Sequence, residues 1–191
     1  SDGFHVWSEN YDRDAADVID VQEDLAVKIA SAMKTTMDPE ALKDMLRVGT
    51  RSVDAYQAYL RGITWFAQAW ADDDGDALLS SYDMHEQARS IDPNFSIAHQ
   101  QAASFWTVQA DPTMTHSNLT NATAAEIDSN YLERINRAIG TAANAIDRQG
   151  LEAEKALFET RLKRALRLYN NYLDQRPNDL HAWGYFSVVA A

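Results

Sequence analysis

The chain has 191 residues, 46% of them hydrophobic, no cysteine and a formal net charge of −12. These values exclude wholesale disorder, a disulfide scaffold, a thiolate metal site and a cysteine nucleophile, and they make binding to a phosphate backbone unfavourable. Seven glycines and four prolines are too few to punctuate an all-β fold of many short strands, while the abundant alanine, leucine, glutamate, glutamine and arginine favour helix.

In chain order, Phe4-His5-Val6-Trp7-Ser8 reads as one strand, rich in aromatic and β-branched residues. Asp20 to Asp24 places acidic residues in a helical first turn, and Val21, Leu25, Ile29, Ala32 and Met33 follow helical spacing. Asp38-Pro39-Glu40 opens a second short helix, which Gly49 ends. Ser52 caps a third helix carrying Tyr56, Tyr59, Leu60, Ile63, Phe66 and Trp70, broken by the run Asp72–Asp76. A fourth helix is expected from Ala77 to Ile91, stopped by Asp92-Pro93-Asn94, and a fifth from Ile97 to Gln109. Asp111 to Asn130 reads as a polar loop or insertion. A helix over Tyr131–Arg148 is expected to stop at Gly150, another to run from Glu152 to Gln175, and a last to begin at Asp179.

One spacing recurs. Residues separated by four, three and five positions are Ser81, His85, Ala88 and Pro93; Ala138, Ala142, Ala145 and Gly150; and Ala165, Tyr169, Tyr172 and Pro177. Gly62-Ile63-Thr64-Trp65 and Ala103-Ser104-Phe105-Trp106 each set a small residue three positions before an aromatic one, and Ala182 to Ser187 opens in a similar way. These features resemble the tetratricopeptide repeat, a helix pair of about 34 residues in which small residues let helices approach closely and aromatic residues fill the space beside them. The resemblance spans Ser52 to Ala191 and implies an all-α helix-turn-helix stack, an α-α superhelix of about three degenerate repeats with the last cut short. It also implies a concave groove, lined here by Tyr59, Ile63, Phe66, Gln100, Ser104 and Thr107; as an apolar stripe, Tyr59, Ile63 and Phe66 read equally well as packing on the N-terminal helices.

At the other end, Asp2-Gly3-Phe4-His5-Val6-Trp7-Ser8-Glu9-Asn10-Tyr11-Asp12-Arg13, with Asp20-Val21-Gln22-Glu23 beyond it, is similar to the end of a TolB-like α/β domain. In bacterial regulators such a domain stands between an effector, often a nucleotide cyclase or a CadC-type DNA-binding domain, and tetratricopeptide repeats. The implied organisation is a strand remnant over 1–13, linking helices over 14–51 and repeats over 52–191, cut from a longer protein. The parent's membrane attachment and compartment stay open, on the cytoplasmic or the periplasmic side.

Sharper chemistry finds little support in the spacing. Counting an EF-hand loop back from Gly75 puts Trp70 first and Ser81 twelfth, where oxygen ligands are required, so the acidic run reads as a solvated turn. His5, His85, His99, His116 and His181 form no i, i+4 pair and no metal motif, and His85 and His99 occupy apolar repeat positions. No nucleophile elbow or phosphate-binding glycine loop occurs. Glu152, Glu154 and Glu159 read as a solvated face balancing the basic cluster Arg161, Lys163, Arg164 and Arg167. Asn118 and Asn121 match the glycosylation pattern and read as loop polarity. The expectation is a non-enzymatic module with no cofactor, no metal and no catalytic residue, binding a neutral or basic protein, a peptide or neighbouring domains of its own polypeptide. The alternative is a structural spacer or homodimerisation element.

Overall fold

The computed structural model describes residues 39–190, with side chains from Leu42 onward. The expected strand at Phe4–Ser8, the TolB-like segment and the helix through Val21 and Met33 lie outside the described residues. The chain divides into two compact units, Ser1–Arg47 and Val48–Ala191. In the first, α1 (Pro39–Arg47) begins at the expected first-turn proline.

The second unit contains α2 (Val53–Asp72), α3 (Gly75–Ile91), α4 (Ser96–Ala110), α5 (Ala124–Thr141), α6 (Ala145–Phe158), α7 (Leu162–Leu173) and α8 (Leu180–Ala190). Among the described residues every regular element is an α-helix. Consecutive helices pack on one another, most extensively in the pairs α2/α3, α4/α5 and α6/α7, and α8 packs on both α7 and α6.

Side-chain caps set most of the boundaries. The Ser52 side chain accepts the Ala55 N–H at the start of α2. The acidic run after it is a helix–helix turn: Asp73 is left-handed at φ 55°, and the Asp74 carboxylate caps α3 by accepting the Asp76 and Ala77 N–H groups. Thr123 and Glu126 form a reciprocal capping box, so α5 starts at Ala124, seven residues before the position the polar composition of this stretch had suggested. The loop before it is tied down by Gln109, which donates to the His116 carbonyl at 2.8 Å and accepts from Leu119 N–H at 3.0 Å.

Two expected boundaries are corrected. The break after α5 falls at Ala142–Asn144, where Asn144 caps α6 by accepting the Asp147 N–H. Gly150 therefore sits inside α6 rather than ending a helix. The expected continuous helix over Glu152–Gln175 is split at Thr160, left-handed at φ 56°, with Arg161 N–H closing back on the Ala156 carbonyl at 2.8 Å. The spacing drawn through Ala138, Ala142 and Ala145 thus crosses a helix break. Ala138 is buried, but Ala145 is exposed at the first turn of α6. Ala145→Trp should accordingly leave the urea midpoint nearly unchanged, within about 0.5 kcal/mol. Ala153→Leu, at a fully buried position on the same helix, should lower stability by about 1–3 kcal/mol.

Small residues mark where helices meet closely. A Cβ on Gly62 would lie 2.5 Å from His85 Nε2, and one on Gly150 would lie 2.9 Å from Tyr172 Cε2. Ser81 Oγ also donates to the Gly62 carbonyl at 2.9 Å, across the α2/α3 contact. Gly62→Ala should therefore lower stability by about 1–3 kcal/mol against its favourable helix propensity. Gly140→Ala, whose Cβ would meet nothing within 4 Å, should raise stability by up to about 1 kcal/mol in the same denaturation assay.

The α3/α5 contact carries an ion-pair network. Arg134, on α5 and buried, donates to Glu86 Oε1 at 2.8 Å and to the Tyr82 hydroxyl at 2.7 Å, and its guanidinium lies 5.6 Å and 5.7 Å from the Tyr82 and Trp106 ring centres. Paired charge and aromatic faces together offset the desolvation of that arginine.

Candidate functional site

Gln100, Ser104 and Thr107 share one stripe of α4 by their i, i+4, i+7 spacing. Each hydroxyl donates within its own helix, Ser104 Oγ to the Gln100 carbonyl at 3.1 Å and Thr107 Oγ1 to the Ser104 carbonyl at 2.7 Å. That fixes both oxygens as acceptors toward anything in front of them. The stripe faces α6, where Gln100 Nε2 donates to Glu154 Oε1 at 2.5 Å.

A cavity of about 70 Å³ opens here, lined by Ser104, Thr107, Tyr131, Glu154, Leu157, Phe158 and Tyr185. Its walls thus come from α4, α5, α6 and α8. The Tyr131 and Phe158 rings stack with centres 3.7 Å apart. Behind them, Tyr169 on α7 is buried, stacks on Tyr185 at 6.3 Å, and has a hydroxyl without a hydrogen-bond partner.

Glu154 is the chemical centre of this cavity. It is half-buried, and no lysine or arginine among the described residues pairs with it. Burial raises its carboxyl to about 8; the Gln100 hydrogen bond works against that rise and the Asp179 charge adds to it. Burial, reinforced by the Glu154 charge, likewise holds the phenols of Tyr131, Tyr169 and Tyr185 above the usual range.

The six groove residues read from the sequence fall into two groups. Ser104 and Thr107 line the cavity, and Gln100 reaches it through its hydrogen bond to Glu154. Tyr59 packs among core residues, its ring 5.4 Å from that of Phe95 and 6.0 Å from that of His85. Phe66 is half-buried, edge-on to Trp70 at 6.0 Å and packed against the central core, and Ile63 is half-buried on the same helix. None of these three lines the cavity. Sequence reasoning did not find Glu154, Tyr131, Phe158 or Tyr185 as site residues. Glu152 and Glu159 behave as expected, pairing with Arg164 at 3.5 Å and Arg161 at 3.4 Å, but Glu154 turns to the other side of α6.

Among the described residues no group of three or more histidine, aspartate or glutamate side chains could hold a metal ion, and no helix is long and apolar enough to cross a membrane. His85, His99 and His116 are buried singly and His181 is exposed. No protein-family model, curated protein or solved structure matches the chain.

Proposed function

We propose that residues 52–190 form a tetratricopeptide-like stack that binds a protein segment along its first-helix face and catalyses no reaction. The pairing α2/α3, α4/α5, α6/α7 supports the stack, as does the placement of buried small residues. Ala69 and Ala103, both essentially inaccessible, are 34 residues apart, which is the length of one repeat. Ala69 precedes buried Ser81 by 12 residues, and Ala153 precedes buried Ala165 by the same 12. Counted from these alanines, Phe66, Gln100 and Gly150 are equivalent, as are Trp70, Ser104 and Glu154. The longer step from Ala103 to Ala153 contains the tethered loop before α5.

The observation that carries the binding function is the cavity at Glu154, which is bounded by the first helices α4, α6 and α8 together with Tyr131 of α5 and presents acceptor oxygens and aromatic side chains. Concave sites with a few converging polar groups are where ligands bind. The net charge of −12 favours a basic or neutral partner. The TolB-like resemblance adds a setting, a multidomain bacterial regulator in which neighbouring domains are themselves candidate partners.

Random peptides displayed on phage and selected on the wild-type protein test this. Thr107→Arg projects a bulky cation into the cavity mouth, and selected peptides should lose at least tenfold in affinity for it while the helical circular-dichroism spectrum is retained. Undiminished affinity would contradict the reading. A spacer or dimerisation role is favoured instead by one feature of α8, the exposure of Leu180 (83%), Trp183 (43%) and Val188 (69%). Sedimentation at rising protein concentration separates that role from peptide binding.

A further inference from the structure

We propose that the cavity at Glu154 receives an alkylammonium group, presented as the lysine side chain of a bound peptide. The inference rests on the peptide-binding reading above and adds the chemistry that the site selects. Three features converge. Glu154 is a carboxylate with a single donor, Gln100, and no cationic partner among the described residues. The Ser104 and Thr107 hydroxyls spend their protons on α4 carbonyls, so the mouth of the cavity offers oxygen acceptors to a group that brings three N–H donors. Tyr131, Phe158 and Tyr185 line it with aromatic carbon, which suits the aliphatic stem behind an ammonium head.

Behind the cavity, the Tyr169 hydroxyl is buried with 1% exposure and lacks a hydrogen-bond partner within the protein, and the Glu154 charge adds to the rise of its pKa.

Glu154 is faced by Gln100 from α4, Tyr131 from α5, Tyr169 from α7, Tyr185 from α8 and Asp179 from the turn before α8; none of them carries positive charge. An entering ammonium is thus the local counter-ion, and it draws the proton off Glu154. Affinity should rise with pH between about 6 and 8 and level off above.

The test is an NMR titration of the wild-type protein with acetyl-Ala-Lys-Ala-amide, the same peptide carrying Nζ-acetyl-lysine, and butylammonium. The lysine peptide should shift the side-chain signals of Tyr131, Phe158 and Tyr185 and lower the Glu154 titration midpoint by at least one unit. The acetylated peptide should bind at least tenfold more weakly, and Glu154→Gln, an isosteric change that keeps the Gln100 contact, should cost the lysine peptide at least tenfold. Equal response to both peptides would overturn the ammonium assignment. Butylammonium binding as tightly as the peptide would overturn the peptide source. If the lysine peptide leaves the cavity signals unmoved while Thr107→Arg still releases display-selected peptides, the lysine pocket falls and the binding face stands. If Thr107→Arg also has no effect, the binding face falls with it.

Discussion

Glu154→Gln should stabilise the second unit by roughly 3 kcal/mol at pH 8 and change it little at pH 4.5. The folded carboxyl is raised to about 8 from an ordinary value near 4.5, mainly by burial. For a carboxyl shifted upward, the folded state holds a proton that the unfolded chain releases. Stability is therefore greatest below pH 4.5 and falls as pH rises, until the folded group also ionises near pH 8. Each unit of difference corresponds to about 1.4 kcal/mol, and the partial solvent access of this side chain trims the total. Glutamine preserves the volume and the oxygen that accepts from Gln100, so the variant lacks only the alkaline decline. Urea denaturation at pH 5, 6.5 and 8 measures it. Parallel curves for wild type and variant would show that the carboxyl is hydrated like any surface glutamate.

His85 should impose the opposite slope, with a loss of about 3 kcal/mol as pH falls from 6.5 to 4. Its ring is 1% exposed beside Gly62, and Nε2 has no hydrogen-bond partner. Burial lowers its pKa to about 4, against a smaller opposing effect of Glu86. Here the unfolded chain takes up the proton first, at about pH 6.5, so stability is intact above that pH and drains away until the folded ring protonates near pH 4. His99 acts in the same direction, since burial lowers its pKa despite the 3.0 Å contact of Nε2 with the Pro93 carbonyl. His85→Leu should flatten the acid side whatever its effect on the midpoint at neutral pH, because the slope reports the proton and the midpoint reports the packing. Between about pH 4.5 and 6.5 the Glu154 and His85 slopes oppose one another, so each single variant should expose the slope that the other residue contributes. An unaltered acid slope in His85→Leu would mean that this histidine protonates in the folded protein at its ordinary pKa.

The same burial logic explains which parts of the structure were legible in the sequence. Ser52, the acidic run after Asp72 and Pro93 are local signals whose effect depends only on neighbouring backbone, and the helices they bound came out nearly as expected. Gly150 misled because glycine serves two ends. Here it admits the Tyr172 ring of another helix rather than freeing a backbone angle, a distinction that tertiary contact alone creates. The actual breaks use Asn144 as a cap and a left-handed threonine at 160, neither of which stands out in a polar, alanine-rich context. The capping box at Thr123 and Glu126 was available as a pattern and was hidden in the composition of its surroundings.

At the site, helical periodicity alone places Gln100, Ser104 and Thr107 on one stripe. Aligning that stripe with Tyr59, Ile63 and Phe66 treats Gly62 as the equivalent of Ala103; in the repeat register proposed above, Phe66 is instead the counterpart of Gln100. Glu154 was invisible for a different reason. In sequence it is one of several glutamates on a charged helix, and only the arrival of Tyr131, Tyr169 and Tyr185 from three other helices strips away its water.

Glu154, without a cationic partner among the described residues, stands in an aromatic cavity built from successive helix pairs. Carbon-detected NMR titration of the Glu154 carboxyl in the free wild-type protein, assigned by its loss in Glu154→Gln, tests this most directly. A midpoint near 8 is the predicted result, and a midpoint between 4 and 5 would contradict the account.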